Sequence, residues 1–294
     1  MKKLVRIMGL CALVSLALVS CKKTETKTFR ISSARVSSDS RTHIEVDYNV
    51  KQLVWDANDE IKVFRHDQPG QYTTFTVAAA DQGNSVATFN IVGDQINFMN
   101  ELGKGGDNNY SAFYPYAVGQ GNEVRVPVLA RQEFIGLDFL PNTFPMYGND
   151  NADGDFEFSS NAGLLVIEFQ RRNGCTDAEC TLDSLELVAM NPEKYLAGNF
   201  VYHNDGTPNE TPGFEGTSNA IMLVPENPIM IPELPNVTGI SISWLFVLPE
   251  VDLTDGFYLR GYHDGQQVFE RSGVCNIHKG MMTAMNGKIV LPVQ

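Results

Sequence analysis

From residue 44 onward, apolar and polar residues alternate over short runs. Ile44, Val46 and Tyr48 alternate with polar or charged neighbours, and Ile61 and Val63 flank Lys62. Tyr72–Val77 and Ala87–Ile91 continue the series, with Pro69-Gly70 and Gln82-Gly83-Asn84 between them. Successive side chains of a strand point to opposite faces, so period-two runs between turn residues predict half-buried strands. Strands this short and closely spaced predict antiparallel β-sandwich architecture. One short helix is expected near residues 98–102.

Residues 148–155, Gly-Asn-Asp-Asn-Ala-Asp-Gly-Asp, interrupt the pattern with a polar run. It reads as a domain junction. A second series of strands is expected at 164–169, 182–188, 198–203, 220–224, 239–248, 256–262 and 288–293. Pro225, Pro228, Pro232, Pro235 and Pro249 fall near the ends of these runs. Proline cannot donate to a ladder and suits edges and connections. The expected fold class is all-β, two antiparallel sandwiches in tandem over 28–152 and 153–294.

The start of the chain follows different rules. Lys2, Lys3 and Arg6 precede an almost wholly apolar run over 7–19, and Ser20 precedes Cys21. This is the layout of an export signal over 1–20. The apolar run falls short of the roughly 20 residues needed to span a bilayer. Leu18-Val19-Ser20-Cys21 resembles a bacterial lipobox, which implies lipidation of Cys21 and a tether over 21–27. The alternative is an ordinary secretory signal cut elsewhere.

Composition narrows the function. The 294 residues are 43% hydrophobic and 19% charged, which argues for a packed core rather than a disordered chain. The formal net charge of −13 repels phosphate backbones, so nucleic acid is not expected as a partner. Loss of the leader and acylation of Cys21 leave Cys175, Cys180 and Cys275. Export permits disulfides, and the close spacing of Cys175 and Cys180 suits a local bridge at a hairpin tip. No neighbouring His/Cys pair completes a tetrahedral metal site there, so no metal is expected.

Motifs for catalysis are missing. The sequence contains no GxSxG, phosphate loop, HExxH or GxGxxG. His43, His66, His203, His263 and His278 are scattered, and no spacing singles out a carboxylate pair. Asn149, Asn151, Asp153, Gly154, Asp155 and Glu157 partly match a calcium loop, but Ser160 replaces its closing glutamate. An acidic turn is the simpler reading. Tyr110, Phe113, Tyr114 and Tyr116 surround Pro115. This cluster packs a core or, if exposed, offers Tyr110, Tyr114 and Tyr116 as a glycan platform. Neither catalytic residues nor a cofactor are expected.

Several stretches together resemble the fimbrillin family. Arg41-Thr42 and Leu53-Val54-Trp55-Asp56-Ala57-Asn58-Asp59-Glu60-Ile61-Lys62-Val63-Phe64 resemble its N-terminal signature. Tyr110-Ser111-Ala112-Phe113-Tyr114-Pro115-Tyr116 resembles its YxAxYPY strand, and Pro145-Met146-Tyr147-Gly148 the end of its first domain. Phe158-Ser-Ser-Asn-Ala-Gly-Leu-Leu-Val-Ile-Glu-Phe169 and Tyr195-Leu196-Ala197-Gly198 resemble the opening of its second, and Trp244 with Leu248-Pro249 a later strand pair. The resemblance runs discontinuously from Arg41 to Phe257.

It implies two transthyretin-like sandwiches in a surface lipoprotein of Gram-negative anaerobes, a pilus subunit or adhesin. In that family a trypsin-like protease cuts after an arginine, the first strand is lost, and another subunit's strand replaces it. Arg41, followed by Arg35, is the best match for that cut, in a small polar stretch suited to cleavage. Losing a strand with three or four buried apolar side chains costs roughly 5–12 kcal/mol, comparable with the stability of a domain. Ile289, Leu291 and Val293 alternate and form the candidate donor, although Pro292 confines it to an edge. The same run could instead complete the second sandwich. The expected partners are other subunits, the outer membrane through a lipid anchor, and host or microbial surface glycans or proteins. A glycan-binding surface lipoprotein that never polymerises is the alternative.

Overall fold

The computed structural model describes residues 29–31, 43–47, 50–68, 70–92, 109–115, 117–135, 138–139, 143–150, 155–231, 242–285 and 287–292. The fold is all-β, with several mainly antiparallel sheets. Among the described residues the helical turns are 3-10 segments, Ala79–Asp81 and Ala178–Cys180. The helix expected near 98–102 lies outside the described residues.

Seven strands form the first sheet, in the order Phe29–Ile31, Ala87–Ile91, Tyr72–Val77, Glu60–Arg65, Tyr110–Tyr114, Met146–Asp150 and Phe156–Ser159. Every pairing in it is antiparallel. Trp55 anchors the core beside it, edge-on to Phe89, Tyr114 and Phe158 at ring centroid distances of 5.0, 5.6 and 5.4 Å. Such edge-to-face pairs add to the burial of large rings.

The polar run at 148–155 connects two paired strands. Gly148 pairs with Phe158 and Asp150 with Phe156, so both arms belong to the first sheet. The chain leaves that sheet at Ser160 and Asn161, both buried. Ser160 Oγ donates to Pro145 O at 2.7 Å and accepts from Ala162 N at 3.0 Å. These bonds satisfy polar groups in a crossover with little access to water.

Most of the remaining strands build three further large sheets, and His43–Asp47 with Val50–Val54 and Thr181–Leu182 with Ile229–Met230 form two small ones. One runs Asp138–Phe139, Arg131–Ile135, Ala220–Pro225, Ser184–Ala189, Val251–His263 and Gln266–Ile277. Another runs Gly213–Ser218, Ala197–His203, Glu123–Val128 and Val118–Gln120. The third places Ile242–Pro249 against Ala162–Arg171, with Met282–Ala284 and Ile289–Leu291 parallel along the other side of Ala162–Arg171.

Ladders cross the expected 152/153 boundary. Glu123–Val128 pairs with Ala197–His203, and Arg131–Ile135 runs parallel to Ala220–Pro225. Asn204 N donates to Asn122 O, so the even-numbered residues 122–128 face Ala197–His203. The nitrogen of Pro127 therefore faces the opposite side, past the Val118–Gln120 pairing that stops at Arg125. That position tolerates a missing N–H. One contiguous apolar core runs from Trp55 to Leu291 and includes Trp244.

Gln132 closes a sheet edge with its side chain. It is 0% exposed, and its Nε2 donates to Val247 O at 2.7 Å while its Oε1 accepts from Val247 N at 2.9 Å. The carboxamide thereby imitates one residue of a neighbouring strand. Two buried main-chain groups of Ile242–Pro249 are satisfied without a ladder.

Candidate strand-exchange site

Phe29–Ile31 occupies the rim of the seven-stranded sheet. Phe29 stands opposite Phe89, Arg30 opposite Thr88 and Ile31 opposite Ala87. Phe89 and Ala87 are buried. Thr88 O accepts from Ala78 N, so Thr88 faces the inner neighbour Tyr72–Val77. By alternation, the main-chain groups of Ala87 and Phe89 face Phe29–Ile31. Asp81 reinforces the inner side, its carboxylate accepting from Thr88 N at 2.7 Å. The receiving strand is thus held firmly on one side and, among the described residues, carries the three-residue strand Phe29–Ile31 on the other.

The C-terminal run lies in its own sheet. Ile289 pairs in register with Phe169, Val290 with Gln170 and Leu291 with Arg171, and Arg172 N donates to Leu291 O at 2.7 Å. Ile289 and Leu291 are buried. Of the two readings of this run, completion of the second set of sheets describes its place here. Val293 lies outside the described residues, as do Cys21, Arg35, Arg41 and Tyr116.

Of the two readings of the aromatic cluster, Tyr110 and Tyr114 take the core one rather than the glycan platform. They are 2% and 0% exposed, because Tyr110–Tyr114 is an inner strand covered on both faces. The Tyr114 hydroxyl donates to Asp59 Oδ1 at 2.9 Å, while Asp59 Oδ2 accepts from Asp56 N at 2.7 Å. The aspartate of the Trp-Asp-Ala-Asn-Asp stretch thereby ties its turn to this strand. A ring with neither face in water cannot stack on a sugar.

Two clusters escaped the sequence reading because their members are far apart in the chain. His66 Nε2 lies 2.8 Å from Ser111 Oγ, which donates to Asn149 Oδ1 at 2.8 Å. Ser111 is 1% exposed, so this serine–histidine pair holds three strands together and offers no open nucleophile. Asp183, His263 and Asp264 also converge, within metal-ligand reach of one another. His263 Nδ1 lies 3.0 Å from Asp183 Oδ1, and Asp264 N donates to Asp183 Oδ2. These bonds clamp a two-residue hairpin turn in which Asp264 and Gly265 have φ of 48° and 70°. That left-handed pair matches the turn favoured by Asp-Gly.

Surface charges are paired across strands. Arg125 Nη2 donates to Glu215 Oε1 at 2.8 Å and Arg125 Nη1 lies 3.0 Å from Glu123. The hydrogen bond from Arg125 holds the Glu215 carboxyl below its usual pKa. Burial pushes the Tyr202 hydroxyl above the usual phenol range. Its ring packs against Phe113 and Tyr147 of the first sheet at centroid distances of 5.4 and 5.2 Å. No helix among the described residues is long and apolar enough to cross a membrane.

No protein-family profile matches this chain, and no curated protein matches it. Among solved structures it is similar to a candidate cell adhesion protein of Bacteroides ovatus, at 16% identity and a TM-score of 0.49, over 84% of this chain and 91% of that one. A candidate cell adhesion protein of Bacteroides uniformis is similar at 12% identity and a TM-score of 0.48, over 79% and 87% of the two chains. The tip fimbrial protein Mfa3 of Porphyromonas gingivalis, with a C-terminal truncation, is similar at 13% identity and a TM-score of 0.25, over 83% and 80%.

Proposed function

We propose that this protein is a non-enzymatic, cell-surface pilus subunit or adhesin that joins its neighbours by strand addition. The observation carrying this reading is the rim position of Phe29–Ile31 on Ala87–Ile91. A rim strand can leave without breaking a sheet in two, and the edge it uncovers is a template for another strand. Cleavage after Arg41 or Arg35 separates this segment from the rest of the chain. The lipid on Cys21 anchors the uncleaved precursor to the outer membrane.

The donor in this proposal is the C-terminal run. Ile289 and Leu291 are spaced as Phe29 and Ile31 are, so they fit the same two positions opposite Phe89 and Ala87. Donation requires this run alone to leave Phe169–Arg171, while Met282–Ala284 stays on Leu164–Val166 and keeps that part of the flank covered. Brief trypsin treatment of the exported chain, followed by mass spectrometry and native gels, tests the whole scheme. Cuts confined to Arg35 or Arg41 followed by a ladder of oligomers are expected. A fully cut chain that stays monomeric refutes polymerisation.

A further inference from the structure

We propose that Cys175 and Cys180 form a disulfide in the exported protein and that it fastens the docking end of the C-terminal strand. The two residues lie in one tightly folded loop that follows Ala162–Arg171. Cys175 N donates to Arg172 O at 3.4 Å, and the 3-10 turn Ala178–Cys180 begins where Cys180 N donates to Asp177 O at 3.0 Å. Thr176 N and Oγ1 both donate to Glu179 Oε2 at 2.8 Å, closing the chain between the two cysteines into a ring. Arg171 adds a bracket from outside, donating to Asp177 Oδ1 at 2.7 Å and to Cys175 O.

Both thiols turn inward from that loop. Cys180 is fully buried in the core and Cys175 packs against the same core, half-buried. Burial pushes the Cys180 thiol above its usual range. Both stand as free thiols in the structure, as does Cys275. Cys275 sits elsewhere, on the strand Gln266–Ile277, where burial pushes its thiol up to about 11.

The chemistry needs an oxidant, and a thiol–disulfide exchange protein of the export compartment supplies it. The Cys175 sulfur, the more accessible of the two, loses its proton and attacks one sulfur of that protein's disulfide. A mixed disulfide forms and the second sulfur leaves as a thiolate. The Cys180 sulfur then loses its proton and displaces the first, forming the Cys175–Cys180 bond. Two electrons and two protons pass to the exchange protein, whose disulfide becomes a dithiol.

The position of the loop gives the bond its effect. Arg172, three residues before Cys175, donates its N–H to Leu291 O, and Arg171 is in register with Leu291. Closing the loop stiffens the point where Ile289–Leu291 docks. This does not depend on polymerisation and can fail or hold separately from it.

Trypsin reads the bond directly, because both cysteines fall in the single peptide 173–194 between Arg172 and Lys194. Full-length protein is isolated from an exporting bacterium under alkylating conditions. Without reductant the peptide should be unlabelled and about 2 Da lighter than its dithiol form, and after reduction it should take two labels. Two labels without reductant overturn the bridge. Hydrogen exchange at Arg172 N–H should be at least about tenfold slower in the oxidised protein than in the reduced one. Equal rates overturn the fastening role even where the bridge forms.

Discussion

The two terminal strands are each three residues long, yet the fold uses them differently. Phe29–Ile31 pairs at the rim with a five-residue strand whose inner side is already complete. Ile289–Leu291, together with Met282–Ala284, lines most of one side of the ten-residue strand Ala162–Arg171. That strand is buried along most of its length and has Ile242–Pro249 on its other side. The first strand therefore trims a sheet, whereas the second keeps a central strand from becoming an edge. A rim strand can leave without parting a sheet, but removing a flank exposes core.

The largest expected effect is removal of residues 282–294. It uncovers Ala162–Arg171 and forfeits the burial of Ile289 and Leu291, a loss of about 3–6 kcal/mol from those two side chains alone. Added to the lost ladder, this approaches the stability of a domain. The truncated chain should be insoluble or unfolded by circular dichroism. A soluble, cooperatively melting product would erase the contrast.

Gln132→Ala comes next. It leaves Val247 N and O buried and unpaired, at a cost of about 2–5 kcal/mol in urea unfolding. Because the side chain joins a segment that precedes 152 to a strand that follows it, a single transition should persist at lower urea. Two separate transitions would show that the crossing ladders do not couple the halves.

Deleting residues 29–31 should cost less, about 1–3 kcal/mol for a ladder of three residues against the roughly 5–12 kcal/mol of a strand with three or four buried apolar side chains, and the protein should remain folded and soluble. A loss equal to that of the C-terminal truncation breaks the comparison. An added peptide carrying residues 287–294 should recover part of the lost midpoint, and failure to do so removes it as a donor.

Glu215→Gln should have the smallest effect. The folded-state pKa of Glu215 is lowered by its hydrogen bond from Arg125. Its contribution is present above the ordinary glutamate pKa and is lost as pH falls through the lower, folded-state value. Stability should thus fall less steeply between about pH 5 and pH 3 in the variant than in the parent, which chemical unfolding at each pH measures. Identical slopes show that this exposed pair contributes nothing, the usual result for surface ion pairs.

Much of the strand content was legible. Glu60–Arg65, Tyr72–Val77, Ala87–Ile91 and Ala162–Arg171 all coincide with readable apolar runs. Gln266–Ile277 was not, because an outer strand with one free edge buries few residues and needs little alternation. Glu123–Val128 alternates clearly, yet Pro127 hides it until its nitrogen is seen to face an unpaired side. The pairing of Phe29–Ile31 with Ala87–Ile91 was not legible. The burial of Tyr110 and Tyr114 was equally unreadable, since an aromatic pattern is the same whether one face or both are covered.

By itself the sequence determined which residues could form strands, which side of each strand could face apolar surroundings, and the all-β class. Those properties follow from neighbours along the chain and the two-residue repeat of an extended backbone. The tertiary structure alone decided that Glu123–Val128 and Arg131–Ile135 pair with strands from the later half, that the polar run at 148–155 connects two arms of one sheet, and that the two terminal strands take a rim and a flank. The reason is that period two names a face and never a partner: strand neighbours are chosen by the closing of a shared core, where every apolar surface competes for every other.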